Sequence, residues 1–388
     1  MGYLGTEERD ARLSRVRNIL TRKGLDAALI YYDEINIGNG WYLTGWCPQF
    51  ESGAVLVLRD GDAMLLGGPE SEPFAKLDSA ITETRNFPVF MVPDEEYPNA
   101  VITDFPSLFA ELKAKTGGLE TLGLVGGGRM PAECYRQIAE GFKGVQLVDI
   151  TNEFVALRYS KSPWERQQIR AAFGLADACY DAMAKAIAPG VSEIEVAAAG
   201  EYAARSHGAT GFGFSAIVGS GARSNAVVPT ATSKKLEAAE TVMIGIAPKV
   251  HGYAGVVGHT LPVSGEYTTS QRDCLNHLKE VFGLTKAQLT PGRTGREIDA
   301  PGRAYYQKHG LLKYLVCPFA HTIGLHEAEA PFFGPHSHDA LKPGMAVCID
   351  VSFFGHPEWN GARIETGYEI SENGPIPFSR RMDQLLTG

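Results

Sequence analysis

The 388-residue sequence predicts an α/β N-terminal domain followed by an α+β C-terminal domain. The length exceeds what one core of ordinary size organises, so two domains are expected. Up to residue 150, short apolar runs alternate with helical stretches, the pattern of an α/β layer. Beyond Ser162 helices come in pairs with strand-rich stretches between them, which reads as α+β rather than as a doubly wound sheet. With 44% hydrophobic and 21% charged residues, the chain has enough apolar surface to fold.

The first section opens with an amphipathic helix over 7–24, which places Leu13, Val16, Ile19 and Leu20 on one face and stops at Gly24. The apolar runs "AALIYY", "AVLVL" and "AMLLG" follow as strands. A helix is predicted over 104–115, a strand at "LGLVGG" (122–127), a helix near 131–141 and a last strand at "VQLVDI". Ser162, Pro163 and Glu165 then form the start signal of a long helix over 163–187: a capping hydroxyl, a proline at the first helical position and the reciprocal glutamate. The domains are accordingly expected over 1–158 and 159–388. The second section carries a further helix over 192–207, strands around 212–218 and 242–262, helices near 269–283 and 295–309, and strands around 346–354 and 363–371. Within "MIGIAPKVHGYAGVVGHTLPVSG" (243–265) the hairpin turn is expected at Gly252 and Tyr253.

A net charge of -9 argues against nucleic-acid binding, which needs clustered Lys and Arg. No apolar run approaches the ~18 residues of a spanning helix, so no membrane partner is expected. Six cysteines without metal spacing, after an N-terminus lacking an apolar signal core, predict free thiols in a reducing cytoplasm. Cys317 and Cys348 are the two that fall near ionisable residues. "GSGARSNAVVP" (219–229) has the glycines of a phosphate loop without its lysine and hydroxyl, and reads as a tight loop between strands.

Ionisable groups concentrate in "PFAHTIGLHEAEAPFF" (318–333), "GMAVCIDVSFF" (344–354) and "NGARIETGYEISENG" (360–374). Asp350 and Glu365 stand in apolar, strand-like surroundings, where an ionised carboxylate must be paired, ligating or hydrogen-bonded. The simplest compensation is a salt bridge, for instance from Glu365 to Arg363 or Lys249. His321 and His326 are five apart, which is not the one-turn spacing of a zinc helix. His251 and His259 flank the hairpin, where turn and edge roles are the simplest reading.

The order of these segments resembles the pita-bread superfamily, which includes methionine and proline aminopeptidases, prolidase and creatinase. "NGWYLTGW" (39–46), "LRYSKSPWERQQIRAA" (157–172), "HGYAGVVGHTLPVSG" (251–265), "HTIGL" with "EAP", "GMAVCIDVS" and "RIETGYEI" follow the family order. The resemblance implies a creatinase/prolidase-type N-terminal domain and a pita-bread catalytic domain. Peptidases of the family hold two metal ions with two Asp, one His and two Glu. Carried over by position, the two Asp fall on Gly245 and Val256, the His on His321, and the Glu pair on Asp350 and Glu365; a further family histidine falls on Ala328. Creatinase works in this fold without metal, yet its histidine base has no counterpart in "SNAVVPTAT" and its hairpin glutamate falls on Gly258.

The expectation from this resemblance is a metal-independent, creatinase-like hydrolase or lyase that cleaves a C–N or related bond, other than a simple peptide, in a small polar metabolite. His321 would act as general acid or base, with Asp350 and Glu365 orienting it. His259, His251, Tyr253, Phe212, Phe214, Arg363, His326 and Glu329 would line the substrate pocket. No cofactor is expected, with a single divalent ion on His321, Asp350 and Glu365, helped by His259, as the variant reading. Two alternatives stay open: a metal-dependent Xaa-Pro aminopeptidase or dipeptidase with atypical ligands, and a non-catalytic binding module on the same fold. The resemblance also implies a homodimer.

Overall fold

The computed structural model describes residues 4–388. They divide into two compact units, the first ending at Arg158 and the second running Tyr159–Gly388. The first unit contains helix α1 (Thr6–Lys23), strand β1 (Ala27–Tyr32), α2 (Ile37–Thr44), β2 (Gly53–Leu58), β3 (Ala63–Gly67), α3 (Glu72–Asp78) and β4 (Thr84–Asn86). It continues through α4 (Phe105–Thr116), β5 (Thr121–Val125), α5 (Ala132–Gly141), β6 (Gln146–Asp149) and α6 (Thr151–Ala156). Its six strands form one mixed sheet in the order β4-β3-β2-β1-β5-β6. Every residue of β1 and β2 is buried, which is why both read as unbroken apolar runs rather than as alternation. Gly24 ends α1 in the left-handed conformation, φ 66°, and returns its N–H to Leu20 and Thr21.

The second unit begins with α7 (Pro163–Ala186) and α8 (Glu193–Ser206), then β7 (Gly211–Phe212), β8 (Ile217–Ser220), β9 (Thr241–Ile246), β10 (Pro248–Val250), β11 (Tyr253–Ala254) and β12 (Val257–Pro262). After α9 (Thr269–Lys286) and α10 (Gly295–Lys308) come β13 (Ala320–Thr322), β14 (Glu329–Phe332), β15 (Ala346–His356), β16 (Asn360–Ser371), β17 (Gly374–Pro377) and α11 (Arg380–Thr387). Helices α7, α8, α9 and α10 each open on a capping box, that of α7 being Ser162 with Glu165. The large sheet runs β14-β13-β15-β16-β12-β9-β8, with β17 added to β16.

Alternation along the two longest strands sets the two faces of this sheet. Val347, Ile349, Val351 and Phe353 of β15, with Ala362, Ile364, Tyr368 and Ile370 of β16, join the helices in one apolar core. Cys348, Asp350 and Ser352, with Arg363 and Glu365, therefore occupy the other face. Burying each large aliphatic side chain contributes roughly 1.5–3 kcal/mol, so the core face holds the register that lines up the polar one.

One local expectation is corrected, and two strands are added to those expected. The hairpin turn lies at His251 and Gly252, both with positive φ (47° and 85°), because Val250 pairs with Tyr253. Residues 320–322 and 329–332, short segments for which the sequence predicts no element, are strands held by pairing on β15 and on each other. Among the described residues no helix is long and apolar enough to cross a membrane, and all six cysteines are free thiols.

Candidate metal centre

The site is assembled by register. Asp350 of β15 is the direct partner of Glu365 of β16, Glu365 of Gly258 on β12, and Gly258 of Gly245 on β9. Direct partners share a face, so two carboxylates and two glycines form one row across the sheet. His321 of β13 pairs with Cys348, two residues from Asp350, and projects to the same face. The result is a group in which donor atoms of His321, Asp350 and Glu365 all lie within 4.8 Å of one another.

The imidazole is oriented by the backbone. Its Nδ1 donates to the Thr322 carbonyl at 3.1 Å, which leaves Nε2 directed into the site. Nε2 lies 3.6 Å from Glu365 Oε1 and 3.6 Å from Glu327 Oε1. Burial opposes a charge on His321, but Glu327, Glu365 and Asp350 outweigh it and push its pKa up to about 10. Burial raises Asp350 to about 6 against the pull of Arg363, with Glu365 adding to the rise. Glu365 is also raised, by burial first and then by Glu327. Its Oε1 is buried with no hydrogen-bond partner. Such a pocket attracts positive charge: a proton on His321, or a cation among the three donors.

Arg363 is paired with Asp350, Nε to Oδ1 at 2.9 Å, rather than with Glu365 as the simplest sequence reading has it. Its Nη1 donates to the Val227 carbonyl at 3.1 Å and its guanidinium lies 5.8 Å from the Phe354 ring centroid. Gly258 is what lets the stem pass: a Cβ there would lie 3.0 Å from Glu365 Cβ and 3.1 Å from Arg363 Cδ.

Several residues expected at the pocket lie elsewhere. His259 follows Gly258, so alternation turns it to the opposite face, where Nδ1 meets the Tyr180 hydroxyl of α7 at 3.0 Å. Tyr253 donates to Glu165 Oε1 at 2.8 Å and fixes the start of α7, and His251 meets Gln168 at 2.8 Å. Phe212 packs against the helical core under the Arg205 guanidinium. Glu329 is bound by Lys161 at 2.7 Å with both side chains sealed from water, a pair that anchors the segment after His321. The half-buried His326 accepts the Gly324 N–H through its carbonyl. Phe214 packs with Ile217, Met243 and Phe354, beside the arginine. Cys348 is sealed beneath the carboxylates, and Cys317 Sγ lies 3.7 Å from Ser352 Oγ.

Glu327 is the site residue that the sequence reading misses. It sits in the loop between β13 and β14, where no periodicity marks it. Its position two residues before Glu329 in "HEAEAP" is the available signal.

For a metal ion, three side-chain donors of imidazole and carboxylate type suffice when water completes the shell. Gly245 and Val256 supply no donor, so a carboxylate-bridged pair of ions lacks two of its ligands here.

The family model "Metallopeptidase family M24" matches residues 167–372, and "Creatinase/Prolidase N-terminal domain" matches residues 12–160. An uncharacterised peptidase of Bacillus subtilis is 26% identical over 375 residues, 97% of this chain and 99% of that protein. A Xaa-Pro dipeptidase of Pyrococcus furiosus is 26% identical over 376 residues, covering 97% and 99%. The crystal structure of the prolidase from Pyrococcus horikoshii superposes with a TM-score of 0.81 at 23% identity, over 95% of this chain and 98% of that one. The pita-bread resemblance and the two-domain α/β plus α+β fold class are borne out. The metal-independent, creatinase-like reading is overturned: the two relatives named above, matched over 97% of this chain, are a peptidase and a Xaa-Pro dipeptidase, and the matching family model is that of a metallopeptidase family. The expectations of a non-peptide C–N bond and of no cofactor fall with it, the latter also against the convergence of His321, Asp350 and Glu365.

Proposed function

This chain belongs to metallopeptidase family M24, and from that premise we propose that it hydrolyses the amide bond of short peptides of Xaa-Pro type, with a divalent ion held by His321, Asp350 and Glu365. The observation that carries the reading is the convergence of those three buried donors within 4.8 Å. Two details favour a ligand role over a packing role. The imidazole presents Nε2 because Thr322 holds Nδ1, and Glu365 Oε1 is buried without a hydrogen bond. A buried carboxylate oxygen left without a hydrogen bond is costly, and a cation removes the cost.

When bound, a divalent ion polarises the scissile carbonyl and lowers the pKa of an attacking water. The remaining work falls to side chains. Glu327, 15% exposed and beside His321, takes the proton of the attacking water and returns it to the leaving nitrogen. Arg363 holds Asp350 in one orientation. Lys161 and Glu329 fix the end of the loop that carries Glu327.

In this reading the substrate is a small dipeptide and the working form a cytoplasmic homodimer. Support for the dimer and its compartment comes from the family resemblance and the free thiols. The test is hydrolysis of Ala-Pro, Ala-Ala and creatine by protein supplemented with Mn2+. Cleavage of Ala-Pro in preference to Ala-Ala, with creatine untouched, is expected; inertness toward every Xaa-Pro dipeptide tried would falsify the assignment.

A further inference from the structure

Resting on the reading above, that His321, Asp350 and Glu365 hold a divalent ion, we propose that Arg363 is a resident cation standing in for a second ion, so that the centre takes one divalent ion per chain. Three observations converge on this. Along the row Ile217, Gly245, Gly258, Glu365, Asp350, the two positions that follow Glu365 on the side away from Asp350 are glycines, and Val256 is a fully buried aliphatic. That half of the floor offers a second ion no ligand. Over the same stretch runs the Arg363 stem, in the space that a Cβ at Gly258 would fill. The guanidinium is immobilised there by Asp350, the Val227 carbonyl and the Phe354 ring, with the side chain only 7% exposed.

The third observation is charge. Asp350, Glu365 and Glu327 carry three negative charges around His321, and Arg363 contributes one positive. One divalent ion neutralises what is left, whereas two would leave a buried excess of positive charge, which a low-dielectric site does not tolerate. A guanidinium also cannot lose its charge by deprotonation, so the arginine's contribution is present at any working pH.

The experiment strips the protein with chelator and titrates it with Mn2+ alone. Bound ions are counted by calorimetry and their coupling is read by electron paramagnetic resonance. Wild type is expected to take one ion per chain with an uncoupled signal. Arg363→Met removes the charge and keeps much of the stem: the ion should bind about tenfold or more tighter, because the fixed positive charge no longer repels it. Arg363→Lys retains the charge and should stay within about threefold of wild type. An arginine present for packing alone gives the opposite order, with Arg363→Met loosening the ion, and that result overturns the proposal. Two coupled ions in wild type also overturn it while leaving the metallopeptidase reading intact; no uptake of any ion removes both. Should Arg363→Met fail to fold, the stoichiometries of wild type and Arg363→Lys decide the question, two ions in either counting against it.

Discussion

Asp350 and Glu365 are direct register partners across β15 and β16, two buried carboxylates side by side on one face of the sheet. Like charges placed directly opposite each other destabilise a strand pair, a cost that a divalent ion bound between them would relieve. Glu365→Gln should therefore raise the stability of chelated protein by about 1 kcal/mol, while lowering Mn2+ affinity at least about tenfold. Urea melts with and without metal measure both effects. A chelated Glu365→Gln protein less stable than chelated wild type would show that this carboxylate is structural.

Gly258→Ala tests the floor of the site. The added methyl would press on Glu365 Cβ and Arg363 Cδ, and neither strand has room to recede inside the sheet. A cost of about 1–3 kcal/mol is expected from overpacking, together with loss of the Arg363–Asp350 contact. Unchanged melting and unchanged metal affinity would mean that the glycine is incidental.

His259 gives the fold a pH dependence of definite sign. Burial, with a smaller contribution from Lys279, drives its pKa down to about 3, far below the ordinary histidine value. Between those two values the unfolded chain holds the proton and the folded chain does not. Stability is thus complete above about pH 6.5 and is lost as pH falls toward 3, at up to about 1.4 kcal/mol per pH unit. His259→Gln, which can still meet the Tyr180 hydroxyl, removes this titration. The stability difference between wild type and variant should shift against wild type by about 2 kcal/mol on going from pH 7 to pH 5. A difference that does not change with pH contradicts the assignment.

The Lys161–Glu329 pair anchors the end of the Glu327 loop. Truncating one partner leaves a buried charge, so Lys161→Met should cost about 3–5 kcal/mol. Lys161→Met combined with Glu329→Leu should recover more than half of that loss. Additive losses in the double variant would argue that the two side chains act independently.

What the sequence reveals of this site follows from what is local. The capping box of α7 lies within four consecutive residues, and the charges at Asp350 and Glu365 stand out because alternation makes their neighbours apolar. Partnerships across strands are set by register, which no single segment contains. Arg363 therefore reads equally well as a partner of Glu365, and His259 as a residue facing the pocket. Strands β13 and β14 are held by neighbours rather than by their own propensity, and Glu327 belongs to the loop between them. The donors lost at Gly245 and Val256 bear on how many ions the centre holds, not on whether it holds one.

The most direct test of the account is turnover of Ala-Pro before chelation, after exhaustive chelation, and after return of Mn2+. If His321, Asp350 and Glu365 hold the ion that drives hydrolysis, turnover disappears on chelation, returns with the metal, and does not return in His321→Ala. Full turnover by metal-free protein would contradict it.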